Sequence, residues 1–253
     1  MALICNSIPK SGTYLLAAIA ECLGYQDCLA RFVDSGTTIV NDQNHKIRFE
    51  NGSDAERFKR LAKGQYSPSH LTYSNDLASE LYGLGLSQIF IYRHPADIIY
   101  SYLRFVTYSK SFASHSNNTA NTQARFQHDF VDDEQRFIHI FESEKHNFNF
   151  TKNLGWLGEA RCLSVKFEEL FSDVRILADN KIGTWMARII AYLDVEVTIK
   201  PVEMYERIFG VGPTFSNLKG KVGQYRQLDQ AKISYVLDHP IYHDWLRKFG
   251  YDE

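Results

Sequence analysis

The chain alternates short apolar runs with longer amphipathic ones. The apolar stretch Leu3 to Ile8 leads into Pro9-Lys10-Ser11-Gly12-Thr13, and an apolar-periodic stretch, Tyr14 to Leu23, follows. That order predicts a strand, a tight turn and a helix. Gln88-Ile89-Phe90-Ile91-Tyr92 is a second strand signal, followed by Arg93-His94-Pro95 and a helix-like run from Ala96 to about Val106. Proline near the first helical turn is a start signal, because its missing N–H has no intrahelical partner there in any case. A third strand signal, Cys162 to Phe167, precedes Glu168-Glu169-Leu170, and an amphipathic run from Ile182 to Leu193 comes soon after. Strands alternating with helices predict βαβ units: an α/β fold of three layers, with a central, mainly parallel sheet flanked by helices.

Two stretches interrupt this rhythm. Val33 to Tyr73 is polar and weakly periodic, which predicts a loop-and-helix insertion. Ser109 to Asp133 crowds Asn, Ser, Thr, Gln and His together, and reads either as a lid or substrate loop or as a disordered segment. The block Phe137 to Phe150 carries four Phe among His and Glu, a pattern that helical core packing explains. Nothing resembles a two-domain linker, so residues 1–253 are expected to form a single domain with insertions near 33–73 and 109–133.

Composition narrows the class of partner. Lys and Arg total 28 against 30 Asp and Glu, a net charge of −2. This argues against broad attraction to nucleic acid or membrane, and any anionic ligand must be held by local clusters. Cys5, Cys22, Cys28 and Cys162 fall in or beside apolar runs without paired spacing, which suggests buried free thiols and a reducing cytoplasm. No segment reaches the roughly 18 apolar residues needed to span a bilayer.

The chemistry concentrates at the turns. The first N–H groups of a helix lack partners one turn back and point at any anion there, Gly12 permits close approach, and Lys10 adds a full charge. The nucleotide-triphosphate loop reads G-x-x-x-x-G-K-[ST], whereas this run places lysine before glycine, so it is a phosphate loop of another kind or an ordinary turn with a surface lysine. Arg93 leaves the second strand, and ligands of parallel sheets bind beyond the carboxyl ends of strands, so the two cations are expected to converge. Arg93 also reads as a salt-bridge partner. Asp97 and Ser101 are four residues apart on one helix face. Asn217-Leu218-Lys219-Gly220-Lys221-Val222-Gly223-Gln224-Tyr225-Arg226 is a glycine-spaced basic loop, able to fold around a phosphate or to remain a solvated turn.

Taken together, these segments resemble the sulfotransferases that use 3′-phosphoadenosine 5′-phosphosulfate (PAPS). The family's P-K-[SA]-G-[TS] turn is similar to Pro9–Thr13, and its R-x-P-x-D-x-x-x-S signature is similar to Arg93–Ser101. Its C-terminal R-K-G-x-x-G-D-W signature is similar to Lys219–Tyr225, with Leu218 in place of the arginine and Gln224-Tyr225 in place of Asp-Trp. The resemblance implies a P-loop-containing nucleotide-binding fold. It also implies that Lys10, Ser11, Gly12, Thr13 and Tyr14 cradle the 5′-phosphosulfate, that Arg93 and Ser101 bind the 3′-phosphate, and that Lys219 and Gly220 close over it. Lys221 would compensate for the lost arginine.

The implied reaction moves a sulfuryl group from PAPS to a hydroxyl or amine of a small molecule or saccharide, releasing 3′-phosphoadenosine 5′-phosphate (PAP), with no metal required. Lys10 would carry the leaving-group charge, and Ser101 would engage Lys10 to restrain hydrolysis. Many relatives carry a histidine in a T-H-L segment, which Ser69-His70-Leu71 resembles, so His70 is the candidate base. An acid such as Asp76 or Glu80 is the alternative, and Pro68 predicts a loop at this point. Phe215 is a candidate to stack on adenine; Phe167 is either a second one or core. The competing readings are a nonenzymatic PAP/PAPS-binding scaffold, suggested by the altered C-terminal loop, and a kinase, disfavoured by the lysine placement. A homodimer is left open.

Overall fold

The computed structural model describes all residues except 34–36, 42–46, 114–116, 145–149, 211–221 and 252–253. The chain forms two compact units, Met1–Arg93 with Lys152–Gly220 and His94–Thr151 with Lys221–Glu253.

The first unit holds eight strands among its described residues: β1 (Ala2–Ser7), β2 (Gln26–Asp27), β3 (Ala30–Phe32), β4 (Thr37–Asn41), β5 (Ile47–Asn51), β6 (Gln65–Ser69), β7 (Leu86–Tyr92) and β8 (Cys162–Lys166). Five of them make a sheet in the order β2-β6-β1-β7-β8, and every pairing in it is parallel. This is the sheet the strand–helix alternation predicts. β1 is central and buried along its whole length, which is why it reads as an almost continuous apolar run. The helix Thr13–Cys22 buries Leu15, Leu16, Ile19 and Ala20 in a core shared with Leu3, Cys5, Ile89, Ile91 and Val165. Each large aliphatic chain buried there contributes about 1.5–3 kcal/mol.

The stretch Val33–Tyr73 differs from the expected loop-and-helix insertion. It contains β4, β5, the helix Asp54–Phe58 and β6, and β3, β4 and β5 pair antiparallel in a small second sheet. β6 is an inner strand of the main sheet despite its Ser and Pro, because its hydroxyls find partners inside the protein. Ser67 Oγ donates to the Ala30 carbonyl at 2.7 Å and meets Ser69 Oγ at 3.2 Å. Pro68 therefore sits in a strand rather than a loop. Pro68 stands beside Cys5 of β1, and β3 covers the other flank through the Ser67–Ala30 and His70–Phe32 bonds.

The described part of the second unit is helical: Pro95–Tyr108, Lys110–Ala113, Asn117–His128, Asp133–Glu144, Gln230–Leu237 and Pro240–Lys248, with a 3₁₀ turn at Gln224–Gln227. The polar stretch Ser109–Asp133 is thus mostly helix where it is described. Its helix is held by side-chain amides: Gln123 Nε2 donates to the Val106 and Ser109 carbonyls at 3.0 and 2.9 Å, and Gln127 Nε2 to Thr107 at 2.8 Å. Phe137, Ile140 and Phe141 are buried, so the described part of the Phe137–Phe150 block is core. All four cysteines are free thiols; Cys5 and Cys22 are buried, whereas Cys28 and Cys162 are half-buried. No helix among the described residues is long and apolar enough to cross a membrane.

Candidate functional site

In the first unit, β6, β1, β7 and β8 are neighbours and run in one direction, so their carboxyl ends line one edge. The register sets Asn6 beside Ser69, Ser7 beside Ile91, and Tyr92 beside Lys166. The residues leaving those ends are His70, the turn Ile8–Gly12, Arg93 and Phe167. One sheet edge thereby collects a histidine, a lysine, an arginine and an aromatic ring.

The turn has an unusual backbone. Lys10 has φ 72° and Gly12 φ 112°, both left-handed, and Lys10 is not a glycine. Ser11 N–H donates to the Ile8 carbonyl at 3.1 Å and closes the turn. A Cβ on Gly12 would fall 2.6 Å from the Phe167 ring and 3.1 Å from Ile91, so glycine is required for space as well as for dihedral angle. The helix that begins at Thr13 has no side-chain cap on its N-cap residue and no acid in its first turn. Ser11 is fully buried, and its hydroxyl makes no hydrogen bond among the described residues. Burial, and then the charge of Arg93, push the Lys10 ammonium from 10.5 down to about 8. Two cations held this close favour an anion between them.

Arg93 is buried, with its guanidinium 4.6 Å above the Phe167 ring. Phe167 in turn stacks on Phe171 at 5.5 Å and is itself buried. Of the two readings of Phe167, the core one describes its position: it props the Gly12 turn and carries the arginine.

His70 is fixed from several sides. Its backbone bridges Val33, and its N–H donates to the Phe32 carbonyl at 2.8 Å. Its Nδ1 lies 3.1 Å from both the carbonyl oxygen and the hydroxyl of Ser7, whose hydroxyl lies 2.5 Å from Thr13 Oγ1. A carbonyl only accepts, so this contact puts the proton on Nδ1 and the lone pair on Nε2. The next residue is clamped by Asn6, fully buried on β1: Asn6 Oδ1 accepts from Leu71 N–H at 2.8 Å, and Asn6 Nδ2 donates to the Leu71 carbonyl at 3.0 Å. Trp156 Nε1 donates to that same carbonyl at 2.9 Å. Asn6, Ser7 and Trp156 escape the sequence reading. Two polar residues closing a buried strand were the available signal.

The remaining candidates are placed as follows. Tyr14 is exposed at 44%. Asp76 is exposed and Glu80 half-buried on the helix Asn75–Gly83. Ser101 is half-buried on the helix Pro95–Tyr108 of the second unit. Phe215, Lys219, Gly220 and Lys221 lie outside the described residues. In the second unit the Asp97 carboxylate, 1% exposed, accepts from Gly223 N–H at 2.7 Å and Tyr225 N–H at 3.2 Å. His94 stacks on Tyr225 with ring centroids 5.0 Å apart. The second signature thus fastens the described end of the third, with Gly223 at φ 73° making the turn.

No family model matches the chain, and no curated protein matches it in sequence. Solved structures do match. Mouse sulfotransferase SULT7A1, complexed with PAP, aligns over 97% of this chain and 84% of its own at 19% identity, with a TM-score of 0.52. With five parallel strands ordered around a central β1 and a lysine turn at its carboxyl end, the chain has the sulfotransferase fold.

Proposed function

We propose that the protein is a PAPS-dependent sulfotransferase acting on a hydroxyl or amine of a small molecule or saccharide. One observation carries the reading: the candidate base, His70, is hydrogen-bonded through Ser7 to Thr13 of the very turn that presents Lys10. Acid–base and anion-holding groups therefore share one edge of one sheet, as group transfer needs. The PAP bound to the mouse sulfotransferase is carried to this chain as part of the proposal.

The residues fit an anionic nucleotide. The buried Ser11 hydroxyl and the crowded cations Lys10 and Arg93 all gain from the phosphates of such a ligand. When bound, PAPS supplies an activated sulfuryl group. Lys10, with the N–H groups at Gly12 and Thr13, holds negative charge at the turn, while Arg93 binds a second phosphate from its seat on Phe167. His70 takes the acceptor's proton on Nε2, and the resulting imidazolium donates from Nδ1 to the Ser7 carbonyl. The roles of Tyr14, Ser101, Phe215, Lys219, Gly220 and Lys221 in holding the nucleotide rest on the motif resemblance.

Calorimetry with PAP, followed by transfer of labelled sulfate to an acceptor panel, tests the reading. The expected result is PAP binding without metal and measurable transfer, abolished in Lys10→Ala; Arg93→Ala chiefly weakens PAP binding. Binding without transfer to any acceptor would favour the scaffold, and preference for ATP with magnesium would favour a kinase.

A further inference from the structure

The helical unit contains a cavity of about 220 Å³ that no part of the proposed reaction uses. Its apolar walls are Val106 on the helix Pro95–Tyr108 and Ile140 on the helix Asp133–Glu144, both buried. Between them stands a wall of three rings. Phe126 and Phe130 are 5.4 Å apart, Phe130 and His139 4.8 Å, and Phe126 and His139 5.7 Å. Tilted and edge-on rings at such spacings favour another aromatic ring over an aliphatic chain of equal volume.

The cavity is held open by its frame. Gln123 and Gln127 tie the helix Asn117–His128 to the carbonyl end of the helix Pro95–Tyr108. Across the other rim, buried Arg136 donates from Nε to the Phe126 carbonyl at 2.5 Å and from Nη2 to the Phe130 carbonyl at 2.9 Å. It also pairs with Asp133, which accepts from Tyr108 OH at 2.9 Å. These bonds set the spacing of three helices, so the space is pre-formed, as ligand pockets generally are.

Polar groups at the mouth define the ligand further. Thr122 Oγ1 donates to the Asn118 carbonyl and Ser143 Oγ to the His139 carbonyl, at 2.9 and 2.8 Å. The Thr122 proton is spent within its own helix, so that hydroxyl offers its lone pairs to a donor. Arg125 lines the same cavity, and its pairing with Asp129, at 3.6 Å with side chains 74% and 58% exposed, is a weak surface contact that a ligand anion can replace. An apolar cavity of about 150 Å³ holds benzene, so the larger volume here suits one ring with substituents.

From these observations we propose that the helical unit binds a hydroxylated, single-ring aromatic acid: the ring against Phe126, Phe130 and His139, the carboxylate on Arg125, and the hydroxyl donating to Thr122. The site stands whether or not the chain transfers sulfuryl groups.

Saturation-transfer NMR and calorimetry on the full chain, with 4-hydroxybenzoate as probe, test it. Saturable binding is expected, unchanged by saturating PAP or by Lys10→Ala, with benzoate and 4-hydroxybenzyl alcohol weaker and acetate silent. Arg125→Ala, on an exposed side chain, weakens the acid by about tenfold, the worth of one charge-assisted contact, and leaves the alcohol unaffected. Ser143→Trp fills the cavity and abolishes binding of every ring. Absence of saturable binding at millimolar probe, equal binding in Ser143→Trp, or loss of binding in Lys10→Ala would each overturn the proposal.

Discussion

Lys10 carries two costs at once: a left-handed backbone on a residue with a Cβ, and an ammonium pressed into a half-buried site beside Arg93. Its value of about 8 in the folded protein, against 10.5 ordinarily, has a definite sign. Below pH 8 the lysine is charged in both states, and only the folded state suffers for it. At about 1.4 kcal/mol per pH unit the full penalty is about 3.5 kcal/mol, reduced to about 1–2 kcal/mol by solvent screening of a half-buried group. Lys10→Met, which keeps the apolar stem and the backbone strain, should therefore be about 1–2 kcal/mol more stable than the parent at pH 7 in urea unfolding. Between pH 8 and 10.5 the folded state sheds its proton while the unfolded state keeps it, so this advantage should shrink and vanish. An equal or lower stability of the variant at pH 7 would contradict the argument. The same shift governs ligand binding. A bound phosphate favours the ammonium, so the proposed PAP binding should take up a proton above pH 8, and its affinity should fall as pH rises through 8. Calorimetry in two buffers of different ionisation enthalpy measures that proton directly, and affinity independent of pH between 7 and 9 would show that Lys10 does not touch the anion.

At the scale of elements, the end of β6 depends on a side chain acting as backbone. Asn6 offers one acceptor to the N–H groups of Leu71 and Ser7 and one donor to the Leu71 carbonyl, extending the β1–β6 pairing beyond Ser69. Asn6→Ala leaves two buried N–H groups without that acceptor, at about 1–3 kcal/mol each. The expected loss is about 2–6 kcal/mol in urea unfolding, with a fall in the rate of the proposed sulfuryl transfer, because His70 adjoins the residue released. Asn6→Asp keeps the acceptor and gives up the donor, so its N–H partners stay satisfied and its rate should lie between the two. The contrast also marks how much was legible. β1 and β7 announce themselves as apolar runs because the sheet buries both their faces, while the edge strand β8 shows itself through Leu163 and the buried Val165. β6 does not, since Ser67, Pro68 and Ser69 are paired by hydroxyl bonds that no periodicity records. The helix Asn117–His128 is hidden for a similar reason, its amides gripping carbonyls of a neighbour instead of an apolar stripe gripping a core. In the site, Lys10 and Arg93 follow from strand ends and turn chemistry, whereas His70 came from the resemblance and Asn6 from the structure alone. Asp97 looks like an ordinary acid in a helix's first turn, and only its bonds to Gly223 and Tyr225 disclose a clamp.

On the scale of the whole molecule, the chain passes twice through each unit, so neither is a continuous fragment. All described elements of the first unit precede residue 221, while the second unit needs both its segments to close its core. Phe141 of the earlier segment packs its ring 5.0 Å from His239 and 5.8 Å from Trp245 of the later one. Polar ties run beside it: Glu134 accepts from Asp229 N–H at 2.9 Å, and Lys232 pairs with Asp132 at 3.0 Å. Ile233, Val236, Tyr242 and Trp245 are all buried, the first two on a helix that packs against the helix carrying Phe137, Ile140 and Phe141. Removing four such side chains forfeits on the order of 6–12 kcal/mol, comparable with the whole stability of a domain, about 5–15 kcal/mol. A chain ending at residue 220 should therefore lose slow amide exchange throughout residues 94–151. Within the first unit, the sheet hydrogen bonds of β1, β6, β7 and β8 lie entirely in the retained chain, and so do Lys10, His70 and Arg93. Their amides should stay slow to exchange in the truncated protein. Equal loss of protection in both regions would mean that the parallel sheet cannot stand on its own core, and retained protection at 94–151 would mean that the Phe141 contacts carry far less than their buried area implies.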